Sequence, residues 1–136
     1  MDDREAKRRL SEAPVARLAT VGADGSPHVV PITFVMEGDT IFFAVDHKPK
    51  RTTSLRRLQN IAVHPSVALL VDHYEDDWRR LWWVRADGTA RLLDASPDAD
   101  HAIDLLVGRY PPYRERRPDG PAVAISIARI SGWSAS

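Results

Sequence analysis

Thr40-Ile-Phe-Phe-Ala-Val45 is followed by Asp46-His-Lys-Pro-Lys-Arg51, then by Thr52-Thr-Ser-Leu-Arg-Arg-Leu58, and ends at Val67-Ala-Leu-Leu-Val71. The first block is a continuous apolar run of strand length, and the last is another. Between them, Thr52-Thr53-Ser54 is a helix start, and Leu55, Leu58 and Ala62 recur at near-helical spacing. This predicts a helix over about 52–60, closed by Pro65. Strand, short helix, strand is therefore the organising unit. His47 to Val71 contains no acidic side chain, whereas Lys48, Lys50, Arg51, Arg56 and Arg57 crowd its first part. Backbone N–H groups at a helix start are unpaired and aim at an anion. Lys and Arg beside them add charge-assisted hydrogen bonds. The residues point to a site for something small and phosphorylated, with Arg56 assigned to plain surface.

Outward from this unit, residues 2–12 read as a charged helix with Ala6, Leu10 and Ala13 on one side, stopped by Pro14. Val15–Val21 alternates as a strand, and Asp24-Gly25 signals a hairpin turn. Ser26–Met36 returns as a second strand. Pro27 and Pro31 cannot donate to a ladder, so this strand belongs at an edge or carries a bulge. Residues 40–46 form the third strand, after the turn Glu37-Gly38-Asp39. Beyond Val71, Tyr74–Arg80 reads as a polar loop. Leu81–Asp94 is a long strand interrupted at Asp87-Gly88, by either a hairpin or a bulge. Ser96 caps a helix over 97–107 with Pro97 at its first position. Tyr110–Pro121 reads as loop and Ala122–Ile130 as the last strand. The expectation is one mainly β domain over residues 1–136: an antiparallel six-stranded barrel with short helices outside.

Composition narrows the function. The 136 residues carry 19 Lys+Arg and 19 Asp+Glu, a net charge of zero, which argues against general binding of nucleic acid or membrane surfaces. The absence of cysteine removes disulfides and thiolate chemistry. The charged start Met1-Asp-Asp-Arg-Glu5 and the lack of an apolar run near the ~20 residues of a membrane span lead to a cytoplasmic, soluble expectation. His28, His47, His64, His73 and His101 show no metal-ligand spacing. Ser26 and Ser54 sit in turn and cap contexts rather than beside a base. The reading therefore places the chemistry on a bound cofactor. Thr33, His47, a tyrosine of Tyr110-Pro-Pro-Tyr113, or water remain open as proton source. Trp82 and Trp83 fall on opposite faces of one strand. With Phe42 and Phe43, they offer more large apolar surface than a small barrel is expected to bury, so a homodimer is expected.

Ala16-Arg-Leu-Ala-Thr20, Asp24-Gly-Ser-Pro-His28, Val30-Pro-Ile-Thr-Phe34, Phe42-Phe-Ala-Val45, Lys48-Pro-Lys-Arg51 and Trp82-Trp-Val-Arg-Ala-Asp-Gly88 occur in that order. In order and spacing, over about residues 4–134, the chain resembles the pyridoxamine-phosphate-oxidase-like flavin and deazaflavin proteins, which are FMN-binding-type split β-barrels. Within that family it looks like the actinobacterial F420-dependent branch, where a Trp pair followed by Val-Arg-Ala-Asp-Gly is typical. The resemblance implies an F420-dependent oxidoreductase that moves a hydride between deazaflavin and a small organic substrate. FMN in the same fold, or a carrier without turnover, is the alternative. It also implies a homodimer with cofactor sites at the subunit interface. The ring would rest on Val30, Pro31, Ile32, Thr33 and Phe34 and on Ala44 and Val45. The phosphate would be held by Lys50 and Arg51, with Lys48, Thr52, Thr53 and Arg57 nearby. Trp83 stands where the flavin oxidases carry glutamine, and Trp133 is a further stacking candidate. The Arg-rich C-terminal substrate motif of true pyridoxamine-phosphate oxidases is not evident, so that activity is not expected.

Overall fold

The computed structural model describes residues 1–45 and 51–136, and the side chains of all of these except 51–55. The elements are α1 (Asp3–Glu12), β1 (Ala16–Val21), β2 (Pro27–Ile32), β3 (Val35–Glu37), β4 (Thr40–Ala44), α2 (Arg51–Val63), β5 (Ser66–His73), β6 (Trp82–Leu93), α3 (Pro97–Arg109), α4 (Pro111–Glu115) and β7 (Ala122–Ser134). Asp2 caps α1 by accepting from the Glu5 N–H, and Ala6 and Leu10 are its buried face. Ser96 caps α3 by accepting from the Ala99 N–H at 3.2 Å, as its sequence predicts.

Seven strands form one antiparallel sheet in the order β2-β1-β5-β6-β7-β4-β3. This corrects the expected six-stranded barrel. The stretch read as one strand, 26–36, breaks at Thr33-Phe34, and its halves lie at opposite edges of the sheet. The edges are thus joined by the chain itself rather than by a ladder. Pro27 and Pro31 sit on the edge strand β2, where their missing N–H groups cost the ladder little. Asp87-Gly88 is a register shift inside β6, not a hairpin. A Cβ on Gly88 would lie 2.4 Å from the Ser126 carbonyl oxygen, so only glycine lets β7 approach there. Three further expectations change. β7 runs on to Ser134, the loop after Tyr110 contains α4, and the loop after Tyr74 contains a 3₁₀ turn at Trp78–Arg80.

Core burial explains the apolar run that opens β4. Ile41 and Phe43 pack inward with Leu10, Leu18, Phe34, Leu69, Val84 and Ile125. Phe42, on the other face, packs with Leu93, Ala102, Ile103 and Ala124 beneath α3. Both faces of this strand are covered, so alternation disappears. Phe42 is 8 % and Phe43 0 % exposed, which removes them from any subunit interface. In α2 the inward residues include Leu58, Asn60 and Ile61, whereas Ala62 is exposed, contrary to the sequence reading.

Candidate functional site

The break between β2 and β3 is held from outside by the end of α3 and by α4. Arg109 donates from Nη1 to the Phe34 carbonyl at 2.7 Å and from Nη2 to the Ala13 carbonyl at 2.6 Å. The Tyr110 hydroxyl accepts from the Phe34 N–H at 3.1 Å and lies 2.8 Å from the Phe34 carbonyl and 3.0 Å from that of Pro14. Two prolines at the start of α4 then turn the chain so that the Tyr113 hydroxyl meets Thr33 Oγ1 at 2.8 Å. Arg109 and Tyr110 are structural clamps. Tyr113 has a hydroxyl partner that can donate or accept, so it keeps hydrogen-bonding freedom.

Arg57 completes this corner. Its guanidinium carbon lies 5.8 Å from the centre of the Phe43 ring. Its Nε is buried with no hydrogen-bond partner, and no carboxylate pairs with it among the described residues. Burial pushes its pKa below the ordinary value, and the charge of an ionised Tyr113 opposes that shift. A half-buried cation without a counter-ion costs stability unless something negative meets it. The arrangement can hold an anion beside a hydroxyl pair.

Among the other expected contacts, Val30, Thr33 and Ala44 are half-buried and Pro31 is exposed. Ile32 and Val45 are buried, and the Val45 N–H is already given to the Pro121 carbonyl. Phe34, expected beside the ring, has its side chain in the core and both its backbone groups taken. Lys48 and Lys50 lie outside the described residues. Arg51, Thr52 and Thr53 form the first turn of α2, as expected, and their side chains are not described.

Trp82 and Trp83 do take opposite faces. Trp82 packs on the core with Arg9 stacked 4.8 Å from its ring centre. Trp83 points outward and is the register partner of Trp133, which is 43 % exposed. Strand β6 is three places from β2 in the sheet, so one chain does not bring this pair against Thr33. Sequence reasoning missed the Arg109–Tyr110–Tyr113 lattice as a unit. The double proline after Tyr110 was the available signal for a helix start. Among the described residues no cluster of His, Asp and Glu forms a metal site, and no helix is long and apolar enough to cross a membrane.

An open antiparallel sheet, joined edge to edge by the chain, with a half-buried arginine near the join that has no carboxylate partner among the described residues, defines a small mainly β protein. The family model described as pyridoxamine 5'-phosphate oxidase matches residues 2–134, and the chain belongs to that family. No curated protein matches it. Among solved structures it is similar to an FAD-binding protein of Mesorhizobium loti, at 21% identity over 97% of this chain and 94% of that one, with TM-score 0.73. It is also similar to HutZ, the heme storage protein of Vibrio cholerae, at 18% identity over 97% and 93%, TM-score 0.73. A conserved hypothetical protein of Mycobacterium tuberculosis matches at 23% over 99% and 86%, TM-score 0.70. At such identities these likenesses concern the fold.

Proposed function

We propose that this chain is an F420-dependent oxidoreductase that works as a homodimer on a small organic substrate in the cytoplasm. The observation that supports this reading best is Arg57, whose buried Nε has no partner among the described residues and which lies between one and two helical turns beyond the basic entry to α2. The residues fit an anionic cofactor. Lys48, Lys50, Arg51, Thr52 and Thr53 would hold its phosphate, with Arg57 adding a second positive contact. Val30, Pro31, Ile32, Thr33, Ala44 and Val45 would line the ring. Family membership and a neighbour named as FAD-binding support a flavin-type group. The excess of cations over what one phosphate needs favours F420, with its anionic tail, over FMN.

The bound deazaflavin would supply the hydride. The chain's own residues bind the cofactor's charge, fix the wall of the pocket through the Phe34 clamp, and offer a hydroxyl pair, Thr33 and Tyr113, for a proton. The dimer face would be the outer side of β2, β1, β5, β6 and β7. There Val21, Val29, Leu70 and Trp133 are exposed, Val29 by 62 %. Trp83 and Trp133 of one protomer would then cover the ring held by the other.

The test is a titration with F420 and FMN side by side, with sedimentation of the same samples. Submicromolar F420 binding by a dimer, weakening as salt is raised, is expected, because exposed charges are screened. Tighter binding of FMN would select the alternative. Binding of neither, or a monomer at micromolar concentration, would remove the shared-site reading. Turnover of an acceptor by the reduced complex then separates an enzyme from a carrier.

A further inference from the structure

The loop from Tyr74 to Arg80 carries the most exposed large apolar side chain among the described residues. Trp78 is 75 % exposed and Tyr74 64 %. The loop is nevertheless fixed by its own polar groups. Asp77 accepts from the Arg79 N–H at 3.2 Å and from its Nε at 2.9 Å. Glu75 pairs with His73 and, at 3.6 Å, with Arg80. The Leu81 N–H bonds the Trp78 carbonyl, and the Leu81 carbonyl takes the Ala135 N–H. An indole held out in water by a rigid turn loses little freedom on docking, and tryptophan is enriched among the anchors of interfaces. At the other end of β6 lies a surface of complementary character. A cavity of about 590 Å³ is floored by Leu93, Ala99, Ile103, Pro118 and Pro121. Asp94, Asp100 and Asp119 stand on its rim, and its Arg117 is already paired with Asp104 at 2.7 Å. The cavity opens on the outer side of the sheet. Leu93 is an even number of positions from Trp83 along β6, so it shares that face, and there it meets α3.

We propose that Trp78 of one protomer docks in this cavity of a second copy of the chain, with the two β6 strands antiparallel about a two-fold axis, so that both contacts form at once. The inference rests on the proposed homodimer and its sheet face. From Trp82 to Leu93 the strand runs about 36 Å at ~3.3 Å per residue, so one chain does not fill its own cavity. Two outer faces packed with their strands nearly aligned bring each loop over the other's cavity. The charges match. Arg79 and Arg80 flank the indole, and the Arg80 pair with Glu75 is long. Asp94 and Asp100 on the rim have no partner among the described residues. The contact also reaches the cofactor corner, because Pro121 in the cavity floor accepts the Val45 N–H at 2.9 Å. The partner's loop would therefore buttress the strand end that leads into the basic segment.

The chain has no cysteine, so introduced thiols report without background. The experiment joins Asp76→Cys, an exposed loop position, with Ala95→Cys, an exposed position on the cavity wall, and adds a short bismaleimide. Neither position belongs to the proposed cofactor site, and Trp78 is left in place. The double variant should become a covalent dimer. Each single variant should stay uncrosslinked, because like positions of the two protomers lie at opposite ends of the paired strands. Adding Trp78→Ser should remove most of the covalent dimer. In the cysteine-free chain the same substitution should raise the dimer Kd by roughly tenfold or more in sedimentation, with the far-UV spectrum unchanged. A wild-type dimer whose double variant does not crosslink would overturn the contact. So would crosslinking of either single variant, a ladder of species above the dimer, or a Trp78→Ser dimer as tight as the wild type. Each of these leaves the cofactor reading standing, which F420 titration of the same samples checks separately. A monomeric wild type would overturn the shared-site reading, and this one with it.

Discussion

Replacing Arg57 with methionine should stabilise the free protein while weakening its hold on an anion. In the wild type the Nε donor is buried without a partner, and the guanidinium has no counter-ion among the described residues. Leaving such a donor unsatisfied costs about 1–3 kcal/mol. Methionine keeps most of the stem's packing and loses the contact with the Phe43 ring, worth about 0.5–1 kcal/mol. The net gain is about 1 kcal/mol, a rise in Tm of ~4 °C for a chain of this size by calorimetry. Binding should move the other way. A charge-assisted hydrogen bond is worth roughly 1.5–3 kcal/mol, so affinity for FMN should fall by about ten- to a hundredfold. Arg56→Ala is the control, because an exposed cation on the other stripe should leave FMN affinity and Tm nearly unchanged. A lower Tm with FMN affinity intact would refute the reasoning and make Arg57 a packing residue over Phe43.

Arg109→Ala removes two charged hydrogen bonds that tie Phe34 and Ala13 together, and should cost about 3 kcal/mol in denaturant unfolding. Arg109→Lys should restore little, since one ammonium does not reproduce the fork. Gly88→Ala pushes a methyl into the Ser126 carbonyl and should lower stability by about 1–3 kcal/mol; an unchanged unfolding midpoint would show that β7 can shift. His101 bridges α3 to β3 through Glu37 at 3.0 Å, which raises its pKa above 6.5, with Asp104 and Asp98 adding to the effect. Its contribution is therefore complete below pH 6.5 and is lost as pH rises through the higher folded value. Thermal unfolding followed across that range should show this slope in the wild type and a flatter one in Glu37→Gln.

The local elements were legible in the chain because short-range chemistry decides them. Ser96-Pro97 starts a helix, Asp24-Gly25 turns a hairpin, and Ala6 and Leu10 fall on one face of α1 wherever those helices and strands dock. The edge position of β2 was readable too, since a missing N–H is a property of proline itself. The basic entry to α2 was likewise visible from charge alone, and the proposed anion site starts from it. What needed the tertiary structure was every feature that depends on residues distant along the chain. No local signal at Thr33-Phe34 tells that the two halves of 26–36 part to opposite edges; Arg109 and Tyr110, more than seventy positions on, hold that break. Phe42 and Phe43 read as surplus apolar surface until α3 covered one face of β4 and the core residues Leu10, Leu18 and Leu69 met the other. Arg57 looked like one cation among five. Only packing over Phe43, beside a tyrosine from α4, took away part of its water and left it without a counter-ion among the described residues, because desolvation is set by neighbours and not by sequence.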